Sequence, residues 1–440
     1  MGKLFAGVAK VIITPPIGIP LAGYGERDKL STAIHDELYA KALVLSDGKT
    51  KAAIVTTDLA GVDKEFVSSI RKQVQKRTDI KKENILISAS HTHSGPDMSK
   101  PRFFTEEKVI EGLSKKDYVD SLREVTDRKI AGAVLMADNN MKEARVGVGK
   151  GVACGVAANR RDSKGPMDNT VGVLRVDDEE GKHMAILVNF CGHPTVLSFD
   201  NYLISADYPG YAMRAVENAI GEDVIAMFTN GACGNVSTRF TRREQTFREA
   251  KRLGSILGGE VIKVSEEIET RDQGKLKVIS KKIRLPAKRF PTIREAEEDC
   301  KTAKDNFERL KAEGATKERL RVSYTTLEGA ERLVEWVKKG IGKIKEVETE
   351  MQAIAIDDTV LIAEPGELFV EIGLDIKKKA GLENVFVVGY ANDSIGYVPT
   401  REAYKEGKYE AFSTILSPEA GEIIHKTALE LISKVKSKDL

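Results

Sequence analysis

The 440-residue chain is poor in histidine, cysteine and tryptophan, with six, four and one. It has almost no excess of charge of either sign: 69 Lys and Arg stand against 67 Asp and Glu, a formal net charge of +2. Without a basic excess or a long basic run, nothing points to a nucleic-acid surface. No stretch reaches the ~18–20 apolar residues that a membrane span needs, so no transmembrane segment is expected. Residues 1–10 lack the basic and apolar regions of a signal peptide. Cys154, Cys191, Cys233 and Cys300 have no paired spacing and no Cys-x-x-Cys arrangement. The expectation is a reduced, cytoplasmic protein whose cysteines are small buried hydrophobes, with Cys191 and Cys233 lying beside segments that carry chemistry.

What is present is an alternation of apolar strands and amphipathic helices. Residues 52–57, 85–90, 171–176, 184–190 and 224–228 read as strands. Residues 63–77, 116–137 and 209–220 read as helices, the first with Phe66, Ile70 and Val74 on one face. The pattern predicts an α/β fold, a layered α/β/α sandwich with a mixed sheet. Residues 291–345 differ. They are highly charged, helix-periodic and broken at Gly314-Ala315-Thr316, which predicts a helical hairpin inserted into a single catalytic domain spanning 1–440. The hairpin reads either as a lid over the site or as a contact in a homo-oligomer. Strand returns over 351–363 with a turn at Asp357-Asp358, and helices over 367–379 and 418–435 close the chain.

Chemistry concentrates where strands end. His91-Thr92-His93-Ser94, followed by Gly95-Pro96, comes straight after the strand at 85–90. Residues i and i+2 of a strand share a side, so two neutral imidazoles there can converge on a metal ion. Cys191-Gly192-His193-Pro194-Thr195 adds a third histidine at a strand end. Asn230 to Ser237 is a glycine-rich turn that ends in a hydroxyl. In Ala363-Glu364-Pro365-Gly366-Glu367, one carboxylate is a candidate ligand, and Glu367 equally suits the first turn of a helix. A tyrosine-rich stretch runs from Gly389 to Tyr397, with Tyr404 and Tyr409 beyond it. No Gly-x-Ser-x-Gly elbow occurs, so a serine triad of that type is not indicated.

Taken in order, these segments resemble the neutral/alkaline non-lysosomal ceramidase family. The resemblance runs through Ile13-Thr14-Pro15-Pro16, Gly23-Tyr24-Gly25, residues 34–42, His91–Pro96, Asn159-Arg160, Gly192–Thr195 and residues 203–212. It continues through Gly234–Ser237, Pro365-Gly366-Glu367, Gly396-Tyr397-Val398 and Tyr409-Glu410. It implies an α/β zinc amidohydrolase that cleaves an N-acyl amide, in a short member without the family's C-terminal immunoglobulin-like domain. Zn2+ is the implied cofactor, with His91, His193, Glu367 and Tyr397 as its ligands. His93, Arg160 and Tyr409 are the implied residues of the reaction centre, and Ser237 matches the serine proposed as nucleophile in that family. Zinc-activated water would attack the carbonyl, which makes Ser237 a site-lining hydroxyl rather than the attacking group. Thr238-Arg239 replaces the family's Pro-Asn, and Arg161-Asp162 stands where the family has a serine. The implied partner is a small-molecule or lipid-like N-acyl substrate. The competing readings are a metal hydrolase of another acyl, ester or peptide bond, and a non-catalytic ligand-binding descendant.

Overall fold

The computed structural model describes residues 2–99, 109–110, 113–221 and 223–436. The larger sheet contains β1 (Phe5–Ile12), β2 (Tyr39–Ser46), β3 (Lys51–Thr57), β4 (Ile85–Ala89), β5 (Lys142–Val152), β6 (Thr170–Asp178), β7 (His183–Phe190) and β8 (Ile225–Asn230). Its order is β8-β7-β6-β5-β1-β2-β3-β4. The inner pairs are antiparallel. The outermost pairs, β3–β4 and β7–β8, are parallel.

Helices α1 (Lys64–Gln75), α2 (Lys115–Asn139), α3 (Asp207–Ile220) and α4 (Phe247–Glu267) cover one face of this sheet through a shared apolar core. The side chain of Asp63 caps α1, accepting from the Phe66 amide at 2.8 Å, and Phe66, Ile70 and Val74 are buried as their spacing predicts. Parallel neighbours need a crossover, supplied by α1 between β3 and β4 and by α3 between β7 and β8.

A second sheet packs on the other face. Its strands are β9 (Leu276–Pro286), β10 (Glu346–Ile356), β11 (Thr359–Ala363) and β12 (Asn384–Val388), in that order. Between β9 and β10 the chain leaves as a hairpin of α5 (Ile293–Ala312) and α6 (Lys317–Lys338), at the place and with the break expected from the sequence. Helices α7 (Val370–Lys379) and α8 (Glu419–Lys436) cover the far side. Along β11, Val360 and Ile362 face these helices while Leu361 and Ala363 face the larger sheet. A strand buried on both faces reads as one continuous apolar run.

The layered α/β sandwich with mixed strands is therefore present, with two sheets between its helical layers. β11 and β12 are parallel, with α7 as crossover. No described helix is long and apolar enough to cross a membrane.

One element begins later than its sequence suggests. The helix expected from residue 367 starts at Val370, and Glu367-Leu368 form a short strand paired in parallel with Tyr397-Val398. Glu367 is thus no first-turn helix acid.

The carboxyl ends of the parallel strands meet at Asn230, which is fully buried. Its Nδ2 donates to the Ser90 carbonyl (3.1 Å) and the Gly192 carbonyl (3.3 Å). Its Oδ1 accepts from the Gly192 amide (3.1 Å), and its own carbonyl accepts from the Gly389 amide (2.9 Å). Truncating one partner of a buried hydrogen-bonded group costs about 1–3 kcal/mol. Asn230→Ala is expected to lower the denaturant midpoint by an amount in that range with an unchanged m-value; an unaltered midpoint would remove this amide from the structure's supports.

Candidate metal and catalytic site

Three parallel strands deliver the histidines and the carboxylate. His91 and His93 follow β4, His193 follows β7, and Glu367 follows β11, on the side where α/β sheets place ligands. The pleat does not bring His91 and His93 together. The strand ends at Ala89, and His91 adopts a left-handed conformation with φ 68°. The turn makes the rings converge instead, with Nε2 of His93 3.2 Å from Nε2 of His91.

The short parallel pairing sets Glu367 directly opposite Tyr397. Glu367 Oε2 lies 3.1 Å from His193 Nε2 and 3.6 Å from His91 Nε2. Ligands at ~2.0–2.1 Å around a tetrahedral ion stand about 3.3–3.4 Å apart, so these spacings suit a shared ion.

The outer faces of the rings support that reading. His91 Nδ1 donates to the Ala60 carbonyl (2.6 Å) and His193 Nδ1 to the Cys233 carbonyl (2.7 Å). Each bond fixes a tautomer with its Nε2 lone pair turned inward, the usual outer support of a ligating imidazole. His93 differs: its Nδ1 is buried without a partner, and Gly23 packs so tightly on its ring that a Cβ there would stand 2.2 Å from Cγ. Burial keeps all three imidazoles neutral, with His91 lowered to about 4 and the others well below their ordinary value. The three histidines together form a group able to hold a metal ion.

Arg160, Tyr397 and Tyr409 gather beside this cluster. The Tyr397 and Tyr409 rings meet edge-on at 5.6 Å, and the Arg160 guanidinium lies 5.4 Å from the first and 5.9 Å from the second. Arg160 Nε donates to Glu410 (2.9 Å), while its buried Nη2 makes no hydrogen bond of good geometry. Burial and the Glu367 charge hold the Tyr397 phenol well above its ordinary pKa, and Arg160 opposes them. Ser237 is buried in the same cavity, but its hydroxyl accepts from the Arg239 amide (3.3 Å) as the cap of a short turn. No general base is hydrogen-bonded to it among the described residues. Glu364, the other candidate carboxylate, accepts from the Gly366 amide and lines neither cavity near the site.

Other residues support the site without an assigned role in the sequence reading. Tyr390 stacks on His91 at 4.2 Å, and its hydroxyl meets the Cys233 thiol at 3.1 Å. The Cys233 carbonyl holds His193, so this cysteine does belong to the site's support. Glu410 bridges Arg160 and Arg161. The cluster opens into a cavity of ≈ 910 Å³, and α6 forms part of its wall through Arg321, Thr325, Glu328 and Arg332. The hairpin is therefore part of the pocket.

A buried cluster of histidines, carboxylate and phenols at the ends of parallel strands defines an α/β protein with a candidate metal site. The profile described as neutral/alkaline non-lysosomal ceramidase, N-terminal, matches residues 5–246, and the chain belongs to this family. The neutral ceramidase of Pseudomonas aeruginosa is 23% identical over 94% of this chain and 69% of its own length. That of Drosophila melanogaster is 25% identical over 48% of this chain, a match that spans only 32% of the fly protein. Among solved structures, the Pseudomonas neutral ceramidase superposes with a TM-score of 0.74 at 20% identity, covering 99% of this chain and 75% of that one. A ceramidase complexed with C2 gives 0.76 at 18% identity, covering 99% and 76%. These likenesses are likenesses of fold.

Glu410 gives a pH prediction. Burial alone would raise its carboxyl, but Arg160 and Arg161 bring it from 4.5 down to about 2. A carboxylate depressed in the folded state stabilises above its unfolded pKa, and that stability is lost as pH falls through the folded value. Glu410→Gln should be less stable than the parent at pH 7, and its further loss between about pH 5 and pH 2 should be smaller, read by denaturant melts across that range. Parallel pH profiles for the two proteins would contradict the ion-pair account.

Proposed function

We propose that this chain is a zinc-dependent amidohydrolase that cleaves an N-acylated small-molecule or lipid-like substrate, acting as one catalytic domain. The observation that carries the reading is the spacing of His91 Nε2 and His193 Nε2 around Glu367 Oε2, with both Nδ1 atoms donating to backbone carbonyls. His91, His193, Glu367 and Tyr397 would hold the ion. Zinc bound there would polarise the amide carbonyl and lower the pKa of a bound water toward ~7.

The chain's own groups supply the rest. The Arg160 guanidinium, buried beside Tyr397, offers a charged donor to the carbonyl oxygen as it gains negative charge. Glu410 fixes that guanidinium from behind. His93 is neutral and no backbone group fixes its tautomer, so it can take a proton and pass it to the departing amine. Tyr397 as a ligand must lose its proton, which Arg160 makes less costly. Ser237 lines the site as a hydroxyl.

A second arrangement is favoured by one distance: His93 Nε2 at 3.2 Å from His91 Nε2 suits a third histidine ligand. Metal analysis of variants separates the two. The parent should bind ~1 zinc per chain, His193→Ala should lose it, and His93→Ala should keep it while turnover of an N-acyl amide falls roughly 10²–10⁴-fold. Loss of zinc from His93→Ala to the same extent as from His193→Ala would establish the three-histidine set. Protein purified without chelator and free of metal would defeat the hydrolase reading.

A further inference from the structure

The chemistry at the cavity floor uses one arginine, yet seven line the cavity. Most of the acids beside them are already engaged. Glu26 pairs with Arg321, and Glu244 with Arg248 (2.7 Å). Glu367 belongs to the histidine cluster. Burial and the Glu26 charge push the Glu328 carboxyl up from its ordinary value.

Of the other arginines, Arg242 and Arg332 hydrogen-bond to uncharged groups. Arg242 donates to the Thr195 carbonyl (2.5 Å) and the Thr238 hydroxyl (3.3 Å). Arg332, on α6, donates to the Tyr409 hydroxyl (3.3 Å) and the Ser413 hydroxyl (3.1 Å). Arg239 stands two residues after Ser237, and no hydrogen bond or ion pair is made by its guanidinium among the described residues. Burial first and the Arg160 charge next bring Arg239 down to about 9. These side chains are half-buried around the cavity, and a guanidinium fork matches a carboxylate or phosphate in two parallel hydrogen bonds.

We infer that Arg239 and Arg242 seat an anionic group, a carboxylate or a phosphate, carried by the substrate close to its acyl amide, with Arg332 contributing from the hairpin. The inference rests on the hydrolase reading for the position of the amide, and on the cavity alone for the anion. It describes a substrate that carries a charged group, in a cavity also lined by Pro20, Leu21, Ala22, Phe199 and tyrosines.

The test uses the full zinc-loaded chain and two matched pairs of probes: N-acetylglycine with N-acetylglycinamide, and N-acetylethanolamine phosphate with N-acetylethanolamine. Affinities come from titration calorimetry, and turnover from release of the amine. A buried charged hydrogen-bonded pair should favour an anionic member by about tenfold or more over its neutral partner. Arg239→Gln should shrink that ratio at least about tenfold, and Arg239→Lys should restore part of it. The pair with the larger ratio identifies the anion.

Equal affinities within both pairs, or no binding of any probe, overturn the inference. So does a preference that persists in both Arg239→Gln and Arg242→Gln, since it would belong to the metal. The parent protein's own ratios decide the matter even if a variant fails to fold. Cleavage without anion preference keeps the hydrolase and removes the anion seat. Anion-selective binding without cleavage keeps the seat and removes the hydrolase.

Discussion

A single buried side-chain amide fixes the strand ends on which the candidate site stands. Asn230 bonds to Ser90, Gly192 and Gly389, and the next residues in the chain are His91, His193 and Tyr390. Two imidazoles and the ring that stacks on one of them therefore share one anchor, one residue back from each. Without it, three loops from two sheets would each need separate restraint, and each ordered residue costs about 1–2 kcal/mol of backbone entropy. A carbonyl, an amide and a side-chain amide satisfied together also leave no buried polar atom to pull water into the strand junction.

The anchor makes local strain tolerable. His91 has φ 68° and Tyr390 φ 53°, a conformation that costs a non-glycine residue of order 1–3 kcal/mol and persists only where the surroundings over-determine it. His91 is held at its own amide by the Leu59 carbonyl (2.9 Å) and at Nδ1 by the Ala60 carbonyl (2.6 Å). The loop after β3 thus sets both the backbone and the ring of a histidine that follows β4. In this conformation the His91 ring lies over Tyr390 with its Nε2 toward Glu367.

Which parts of this were legible follows from the range of each interaction. The strands and helices read from period and apolarity, which are local, fall where expected to within a few residues, while β1, β2, β5 and α4 have no such reading. The His91 and His193 segments were visible because a rare residue type stood at strand ends. Strand alternation does not bring His91 and His93 together, because it stops at Ala89 and a turn takes over. Glu367 looked like a helix start because Pro365-Gly366 precedes an amphipathic run, whereas its pairing with Tyr397 depends on a partner thirty residues away. Neither Asn230 nor Glu410 has a local signature for its role. Each is defined by groups brought together only when the two sheets pack. The second sheet was hidden for a related reason: runs such as Val360–Ala363 look the same whether buried between a sheet and helices or between helices alone.

The near-neutral balance of the whole chain conceals a cavity lined by seven arginines. Net charge is a sum over the surface, and it carries no information about segregation within it. Here the hairpin, a solvated charged segment by composition, turns Arg321 and Arg332 toward a cavity that the β8 loop already lines with Arg239 and Arg242. The matched family segment ends at residue 246 and so contains His91, His193, Arg160, Ser237 and Arg239, while α6 lies beyond it. Glu367, Tyr397, Tyr409 and Glu410 lie beyond it as well. The floor is over-determined by strand ends, buried imidazoles and the Glu410 ion pairs. The wall rests on α6, whose Gly329 lets the helix approach the 409–412 turn so closely that a Cβ there would sit 3.1 Å from the Tyr409 carbonyl. The proposed anion seat would draw on both parts, with Arg239 and Arg242 from the β8 loop and Arg332 from α6.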